Sequence, residues 1–137
     1  MASTKNQSLD LIANYYKYFN NKDLEKFISL LDENVVHEIN QGQTEKGKQV
    51  FQEFMLDMNS YYRENLTNIA LMANDDGSRI GAEYVVHGTY LQSAPGLPPA
   101  RGQTYTLAGG TFFEIKNNKI SRVTNYYNAQ KWLELVK

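Results

Sequence analysis

His37, one of only two histidines in the chain, is a side chain that could exchange protons near neutral pH. It lies in VVHEI (35–39), a segment typical of a short β-strand. If His37 faces the interior, Ile39 does too, whereas a shift by one residue would put Glu38 and Asn40 there. An enclosed His37 could act as a general base. The alternative is a core histidine bonded to a backbone or tyrosine oxygen.

Asn125 is the second candidate, because it shares one face of the predicted strand ISRVTNYY with Val123 and Tyr127. An inward-facing amide between apolar neighbours needs hydrogen-bond partners, and a ligand carbonyl or hydroxyl would provide one. The alternative is an ordinary buried asparagine bonded to the backbone. The ten tyrosines, six phenylalanines and one tryptophan would suit a pocket wall or a subunit interface.

Several kinds of chemistry are excluded by what the sequence lacks. Without cysteine there is no disulfide, no thiolate metal site and no cysteine nucleophile. No histidine pair or carboxylate cluster has the spacing of metal ligands, and no glycine-rich phosphate loop follows a strand. We therefore expect no metal and no cofactor. A net charge of −1 favours neither a nucleic acid nor an anionic membrane as partner.

The chain is predicted to be one domain over residues 1–137. The longest apolar run is far below the roughly 20 residues of a spanning helix, and the start of the chain is polar. We therefore expect a soluble, cytoplasmic protein with no membrane partner. Residues 1–7 are predicted to be a frayed terminus, and residues 40–47 a loop.

Four segments have the apolar spacing of amphipathic helices. They cover residues 8–19, 24–31, 48–60 and 129–136. Asp23 and Asn128 are well placed as N-caps of the second and fourth helix. The third helix carries Phe54 and Met58, which we expect in the core or in a pocket wall.

Four longer segments are predicted to be consecutive antiparallel strands: residues 61–73, 79–91, 103–115 and 120–127. Turns are predicted at NDDG (74–77) and KNNK (116–119), and all three prolines fall in the connection 92–102. Ala108, Gly109 and Gly110 predict a bulge or a sharp bend. With the short strand 35–39, the order α-α-β-α-β-β-β-β-α predicts an α+β roll, a curved sheet wrapped around helices as a cone.

Three stretches of sequence resemble a known superfamily. The segment FNNKDLEKFISLLDENVVHE (19–38) resembles the opening of ketosteroid isomerases, in which N-x-x-D-L joins two helices. The segments HGTYL, GLPPARGQT and FFEIKNNKISRVTNYYN resemble parts of SnoaL-like polyketide cyclases. The resemblance covers nearly the whole chain, implies a nuclear transport factor 2-like cone, and points to the ketosteroid isomerase-related group. Because that superfamily includes isomerases, cyclases, hydrolases and non-catalytic binders, it implies no single activity.

The resemblance assigns catalytic roles to some residues of this chain, but at other positions the catalytic residue of the family is replaced. Tyr15 matches the oxyanion-donating tyrosine of ketosteroid isomerases. Their general-base aspartate corresponds to Ile39 and their second acid to Thr111, and neither residue can replace a carboxyl group. We therefore expect no authentic steroid isomerase activity. In the cyclases, the acid/base aspartate corresponds to Asn125 and the histidine of G-T-H to Tyr90.

Two hypotheses about function follow. The first is a cofactor-independent isomerase, cyclase or hydrolase acting on a small apolar or aromatic molecule, with His37 as base and Tyr15 and Asn125 as polarising groups. The parity of the relatives' first strand would turn His37 and Ile39 inward. The expected ligand-binding residues are Tyr84, Phe54, Met58, Tyr127, Thr111 and Ile39. The second hypothesis is a binding or accessory protein without chemistry. The missing carboxylates favour the second hypothesis, whereas Tyr15 and His37 favour the first.

A homodimer is also predicted, through the convex face of the sheet. If Tyr84 faces the helices, the residues that face outward are Val85, His87, Thr89, Thr124 and Tyr126, with Tyr105 or Thr106 beside them. This mixture of threonine, tyrosine, histidine and valine is typical of an interface with an aromatic centre and a polar rim. A solvated sheet face would more often carry lysine and glutamate.

Overall fold

The computed structural model describes residues 4–137, where four helices pack against one six-stranded sheet. The helices are α1 (Lys5–Asn20), α2 (Leu24–Ser29), α3 (Lys48–Tyr61) and α4 (Ala129–Val136). The strands are β1 (Leu31–Ile39), β2 (Thr44–Lys46), β3 (Tyr62–Ala73), β4 (Arg79–Tyr90), β5 (Thr104–Lys116) and β6 (Lys119–Tyr127). The sheet order is β2-β1-β6-β5-β4-β3, so the sheet is open at β2 and β3. The predicted α+β roll is confirmed.

The helix starts follow from local capping. Asp23 and Asn128 accept hydrogen bonds from the backbone N–H groups of Lys26 and Lys131, which confirms both predicted N-caps. Thr4 forms a reciprocal capping box with Gln7, so α1 begins at Lys5. The prediction of a frayed terminus was therefore wrong for residues 4–7, and residues 1–3 lie outside the described part of the chain.

Two predictions around the first strand were wrong. The second helix ends at Ser29 rather than Leu31, and β1 begins at Leu31. The predicted loop 40–47 contains β2, which pairs antiparallel with β1. Beyond these local differences, β1 pairs in parallel with β6, an exception in an otherwise antiparallel sheet. This parallel pairing sets His37 opposite Val123 and Ile39 opposite Asn125.

The turns agree with the sequence, and of the two alternatives predicted for Ala108, Gly109 and Gly110 the bulge is not formed. Asn117 and Asn118 both have positive φ, of 52° and 58°, which is the backbone of a two-residue hairpin turn. The pairing of β4 with β5 continues through Gly109 and Gly110 without a register shift, so no bulge interrupts it. At Gly109 a Cβ atom would lie only 2.9 Å from the Tyr84 ring. The missing side chain therefore makes room for that tyrosine.

The inner face of the sheet packs on α1, α2 and α3 to form the main core. Ile12, Phe27, Phe51 and Phe113 are each at most 1% exposed there. A second cluster of Tyr90, Tyr105 and Val136 lies under α4 at the other end of the sheet. The Tyr90 hydroxyl fixes the proline-rich connection, since it donates to the carbonyl of Pro98 at 2.7 Å and accepts from the Ala94 N–H at 2.8 Å. The hydroxyl of Tyr90, the residue that corresponds to the histidine of the cyclases, is therefore used to hold this connection in place.

Candidate functional site

A chain of hydrogen bonds crosses the inner face of the sheet from β4 to β1. The Tyr84 hydroxyl lies 2.6 Å from Thr111 Oγ1, and Thr111 Oγ1 lies 3.2 Å from Asn125 Oδ1. Asn125 Nδ2 lies 3.3 Å from His37 Nε2. Four of the predicted site residues, one on each of four adjacent strands, are therefore joined in one network. This network is the candidate functional site.

The direction of each bond follows from the protons available. Thr111 donates its one hydroxyl proton to Asn125, so it must accept from Tyr84. Asn125 uses its oxygen for Thr111 and turns its NH₂ group to His37, whose Nε2 is therefore the acceptor. A neutral imidazole that accepts at Nε2 carries its proton on Nδ1. The network thus runs in one direction, from the Tyr84 hydroxyl to His37 Nδ1–H.

Glu45 on β2 stands at the far end of this network. His37 Nδ1 is 3.9 Å from Glu45 Oε1, which is too long for a hydrogen bond. Within residues 4–137 both atoms are buried without a hydrogen-bond partner. Glu45 was missed because its segment was predicted to be a loop. Its antiparallel pairing with His37, a contact between segments that only the fold brings together, gives it this position.

The environment of His37 is apolar and tightly packed. The side chain is 2% exposed, and its ring stacks on Phe51 with the centroids 4.1 Å apart and the planes at 18°. The predicted pocket residue Phe54 contacts the same ring edge-on at 4.8 Å. Burial lowers the pKa of His37 to about 4. The imidazole is therefore neutral at neutral pH.

Glu38 settles the register of β1, because its carboxylate lies on the other face of the sheet. Glu38 Oε1 accepts hydrogen bonds from the Arg122 guanidinium and, at 2.8 Å, from the Thr124 hydroxyl. These bonds from Thr124 and Arg122 lower the pKa of the Glu38 carboxyl. The alternative with Glu38 and Asn40 inside is therefore not the one adopted, and His37 faces the interior.

Two tyrosines of α1 lie near the network, and they differ in their contacts. Tyr15 packs its ring against Phe27 at 4.4 Å and Phe113 at 5.0 Å. Tyr16 lies with its ring centroid 5.6 Å from that of Tyr84, and its buried hydroxyl has no hydrogen-bond partner within residues 4–137. Burial raises the pKa of Tyr16 well above its usual value, although the nearby Thr111 hydroxyl opposes this. From the sequence, Tyr16 is only one residue of the helix predicted over residues 8–19, so its unpaired hydroxyl is a site feature that was missed.

The other predicted ligand-binding residues make no side-chain hydrogen bond to the network. Ile39 and Met58 are half-buried, on β1 and α3. Tyr127 is 41% exposed at the end of β6, where its backbone N–H donates to Asn40 Oδ1 at 2.9 Å. A surface depression of about 430 Å³ on α3, lined in part by Glu33 and Lys48, contains none of the predicted site residues.

In the described part of the chain, no three His, Asp or Glu side chains converge as metal ligands. None of the helices formed by residues 4–137 combines the length and the apolar character needed to span a bilayer.

Comparison with protein families decides where the chain belongs. Residues 12–123 match the model of the SnoaL-like domain. The chain belongs to the SnoaL-like family. No curated protein matches this SnoaL-like chain significantly.

Solved structures agree with the SnoaL-like assignment. A proposed polyketide cyclase from Xanthomonas campestris is 47% identical, with 98% of this chain and 100% of that chain covered and a TM-score of 0.96. A proposed polyketide cyclase from Pseudomonas putida is 51% identical, with 95% and 98% covered and a TM-score of 0.93. An NTF2-like protein of unknown function from Burkholderia pseudomallei shares the fold at 14% identity, with 96% and 98% covered and a TM-score of 0.82. The SnoaL-like chain therefore has the nuclear transport factor 2-like fold.

Proposed function

We propose that this SnoaL-like protein binds a small, mostly apolar molecule between the sheet and the helices, and that it acts on it as a cofactor-independent isomerase or cyclase. The observation that carries the proposal is the polar network on an aromatic inner face. Polar groups that converge in an apolar interior are typical of small-molecule sites. The similarity to two proposed polyketide cyclases at 47% and 51% identity supports the same class of chemistry.

In this proposal, His37 takes the proton and Asn125 orients the substrate. The neutral imidazole has its lone pair at Nε2, which Asn125 now occupies at 3.3 Å. A ligand carbonyl could receive the Asn125 N–H in its place, which would free Nε2 to accept a proton from the adjacent carbon. The unpaired hydroxyl of Tyr16, or Tyr15 beside it, would donate to the oxygen as charge develops. Glu45, 3.9 Å from Nδ1, would stabilise the resulting imidazolium.

The second candidate function, binding without chemistry, has a specific observation in its favour. A pKa of about 4 makes His37 a weak base, because burial disfavours its charged form. The positions at which the resemblance implies carboxylates hold Ile39, Thr111 and Asn125. A protein that only holds its ligand needs none of these groups to change protonation.

A ligand screen followed by a turnover assay separates the two functions. We expect small aromatic ketones and phenols to raise the melting temperature, and mass spectrometry to show that some of them are converted. His37→Ala should reduce that conversion about 100-fold, since general-base catalysis typically contributes 10²–10⁴-fold. The control is His87→Ala, which removes the other histidine from the opposite face of the sheet. Ligands that bind but are never converted would establish the binding function, and full activity in His37→Ala would exclude His37 as the base.

We also propose that the protein forms a homodimer through the outer face of the sheet. Phe112 and Tyr126 are 48% and 40% exposed there and contact each other with centroids 5.7 Å apart. Thr106, opposite His87 on β4, is exposed, whereas Tyr105 is buried on the inner face. An aromatic pair of this kind is typical of the centre of an interface.

Tyr126→Glu should convert the dimer to a folded monomer. Because a two-fold contact uses each residue twice, the inserted charge is desolvated twice. Light scattering at micromolar concentration measures the mass, and circular dichroism checks the fold. The control is Leu56→Glu, which places the same charge at a 53% exposed position of α3, away from the sheet face. A monomeric mass for the wild-type protein would refute the proposal.

A further inference from the structure

Glu64 and Tyr105 form a polar contact that the network does not use. The Tyr105 hydroxyl donates to Glu64 Oε2 across the strand between them. Glu64 pairs with Gly88 in the sheet, and Gly88 pairs with Tyr105. A Cβ atom at position 88 would lie 2.2 Å from Tyr105 Cζ, so the glycine is what lets the ring cross to Glu64. The contact thus depends on three residues of adjacent strands, Glu64 on β3, Gly88 on β4 and Tyr105 on β5.

The second oxygen of the carboxyl group remains available. In the described part of the chain, Glu64 Oε1 makes no hydrogen bond of its own. The Lys22 ammonium lies nearby but donates to the backbone carbonyl of Glu64 instead of the carboxylate. Tyr105 therefore holds the carboxyl group in position while leaving one oxygen free to bind a further group.

The surroundings of this carboxyl group are aromatic. Trp132 on α4 contacts the Tyr105 ring at 5.9 Å and the Tyr62 ring at 5.6 Å. Glu64 lies two residues before Leu66, so both face the core side of β3. A planar aromatic molecule would find apolar contacts here together with a single strong acceptor.

Two electrostatic effects agree with this geometry. Burial raises the pKa of the Glu64 carboxyl, although the Tyr105 hydroxyl and the Lys22 ammonium oppose that. Burial also raises the pKa of Tyr127, and the Glu64 charge raises it further. The charge of Glu64 therefore acts on Tyr127, which lies in the same partly desolvated region.

We propose that Glu64, held by Tyr105 across Gly88, is a second ligand-binding site of the inner face, and that it accepts a hydrogen bond from an aromatic hydroxyl. The inference rests on the proposed function, since it requires a small aromatic molecule to enter the interior. It adds to that function the chemical class of the ligand, a phenol, and the residue that recognises it. The Tyr84–His37 network then remains free for the opposite end of the molecule.

Two probes that differ only in this hydroxyl test the proposal. The first is 2-naphthol, and the second is 2-methoxynaphthalene, which cannot donate a hydrogen bond. We expect the wild-type protein to bind 2-naphthol about tenfold more tightly, the size of one hydrogen bond to a charged acceptor. In Glu64→Met the two probes should bind with equal affinity. Titration calorimetry or the naphthalene fluorescence gives both dissociation constants.

Two control variants separate the loss of the Glu64 carboxylate from misfolding and from a general change in charge. Glu64→Met combined with Tyr105→Phe removes both partners of the buried bond, so it tests the same point if the single variant folds poorly. Glu25→Met removes an exposed carboxylate from α2 and should preserve the preference. If both probes bind the wild-type protein equally, or the preference survives in Glu64→Met, the inference is wrong while the proposed function stands. If neither probe binds the wild-type protein, the inference is wrong, while the proposed function is decided by the ligand screen.

Discussion

Replacing Gly88 with alanine should destabilise the protein by about 3 kcal/mol, at the upper end of what overpacking a core usually costs. The added methyl group would lie 2.2 Å from Cζ of the Tyr105 ring. That ring cannot move aside easily, because it is 4% exposed, contacts Trp132 and is bonded to Glu64. The substitution should therefore also break the Glu64 bond. Urea denaturation followed by circular dichroism measures the change in the free energy of unfolding.

Gly81 provides the matched control for this prediction, since it lies on the same strand with its missing side chain on the other face. A Cβ atom there would be 3.2 Å from the ring of Phe112, which is 48% exposed and can move. Gly81→Ala should thus cost less than about 1 kcal/mol. Adding Tyr105→Leu to Gly88→Ala should recover part of the loss, because the two changes meet at one contact. Equal costs for the two glycine substitutions would contradict the placement of the Tyr105 ring.

Local signals in the sequence account for most of the fold. Asp23 and Asn128 could be predicted as caps because a cap depends only on the next few residues. The Asn117–Asn118 turn could be predicted for the same reason, since asparagine tolerates positive φ without tertiary help. Once helices and strands were bounded by such signals, their order alone favoured the α+β roll.

Pairing between distant segments could not be predicted in the same way. The three residues of β2 carry no apolar alternation, and they form a strand only because β1 is beside them. The parallel contact of β1 with β6 joins segments more than 80 residues apart. The pairing of β2 with β1 places Glu45 near His37. The pairing of β6 with β1 places Asn125 near His37. The bulge predicted at the glycines of β5 is absent because Gly109 makes room for the Tyr84 ring, a contact that the local sequence does not reveal.

The candidate site was predictable where a residue type was rare and unpredictable where it was common. His37 stood out as one of two histidines, and Asn125 as an amide between apolar neighbours. Tyr16 and Glu64 belong to residue types that occur throughout the chain. Only the unpaired hydroxyl of the first and the Tyr105 bond of the second distinguish them. Such features are properties of the packed interior.

Lowering the pH from 7 to 4 should remove about 3 kcal/mol of stability through His37 alone. In the unfolded chain this imidazole has a pKa near 6.5, whereas burial lowers the folded value to about 4. Between these two values the unfolded state binds a proton and the folded state does not. The stability that depends on neutral His37 is therefore present above pH 6.5 and declines as the pH falls. Most of this contribution is lost by pH 4. Urea denaturation at half-unit pH intervals gives the curve.

The contribution of His37 is separated from that of other groups by subtracting the curve of His37→Gln, which cannot titrate. The subtraction is needed because the lowered pKa of Glu38 acts in the same direction and the raised pKa of Glu64 in the opposite one. A difference curve that is flat between pH 6.5 and 4 would mean that the folded protein accommodates the imidazolium. Glu45, 3.9 Å from Nδ1, is the group that could do so. In that case Glu45→Gln should restore the slope, and His37 would be a stronger base than its burial implies, which favours catalysis over simple binding.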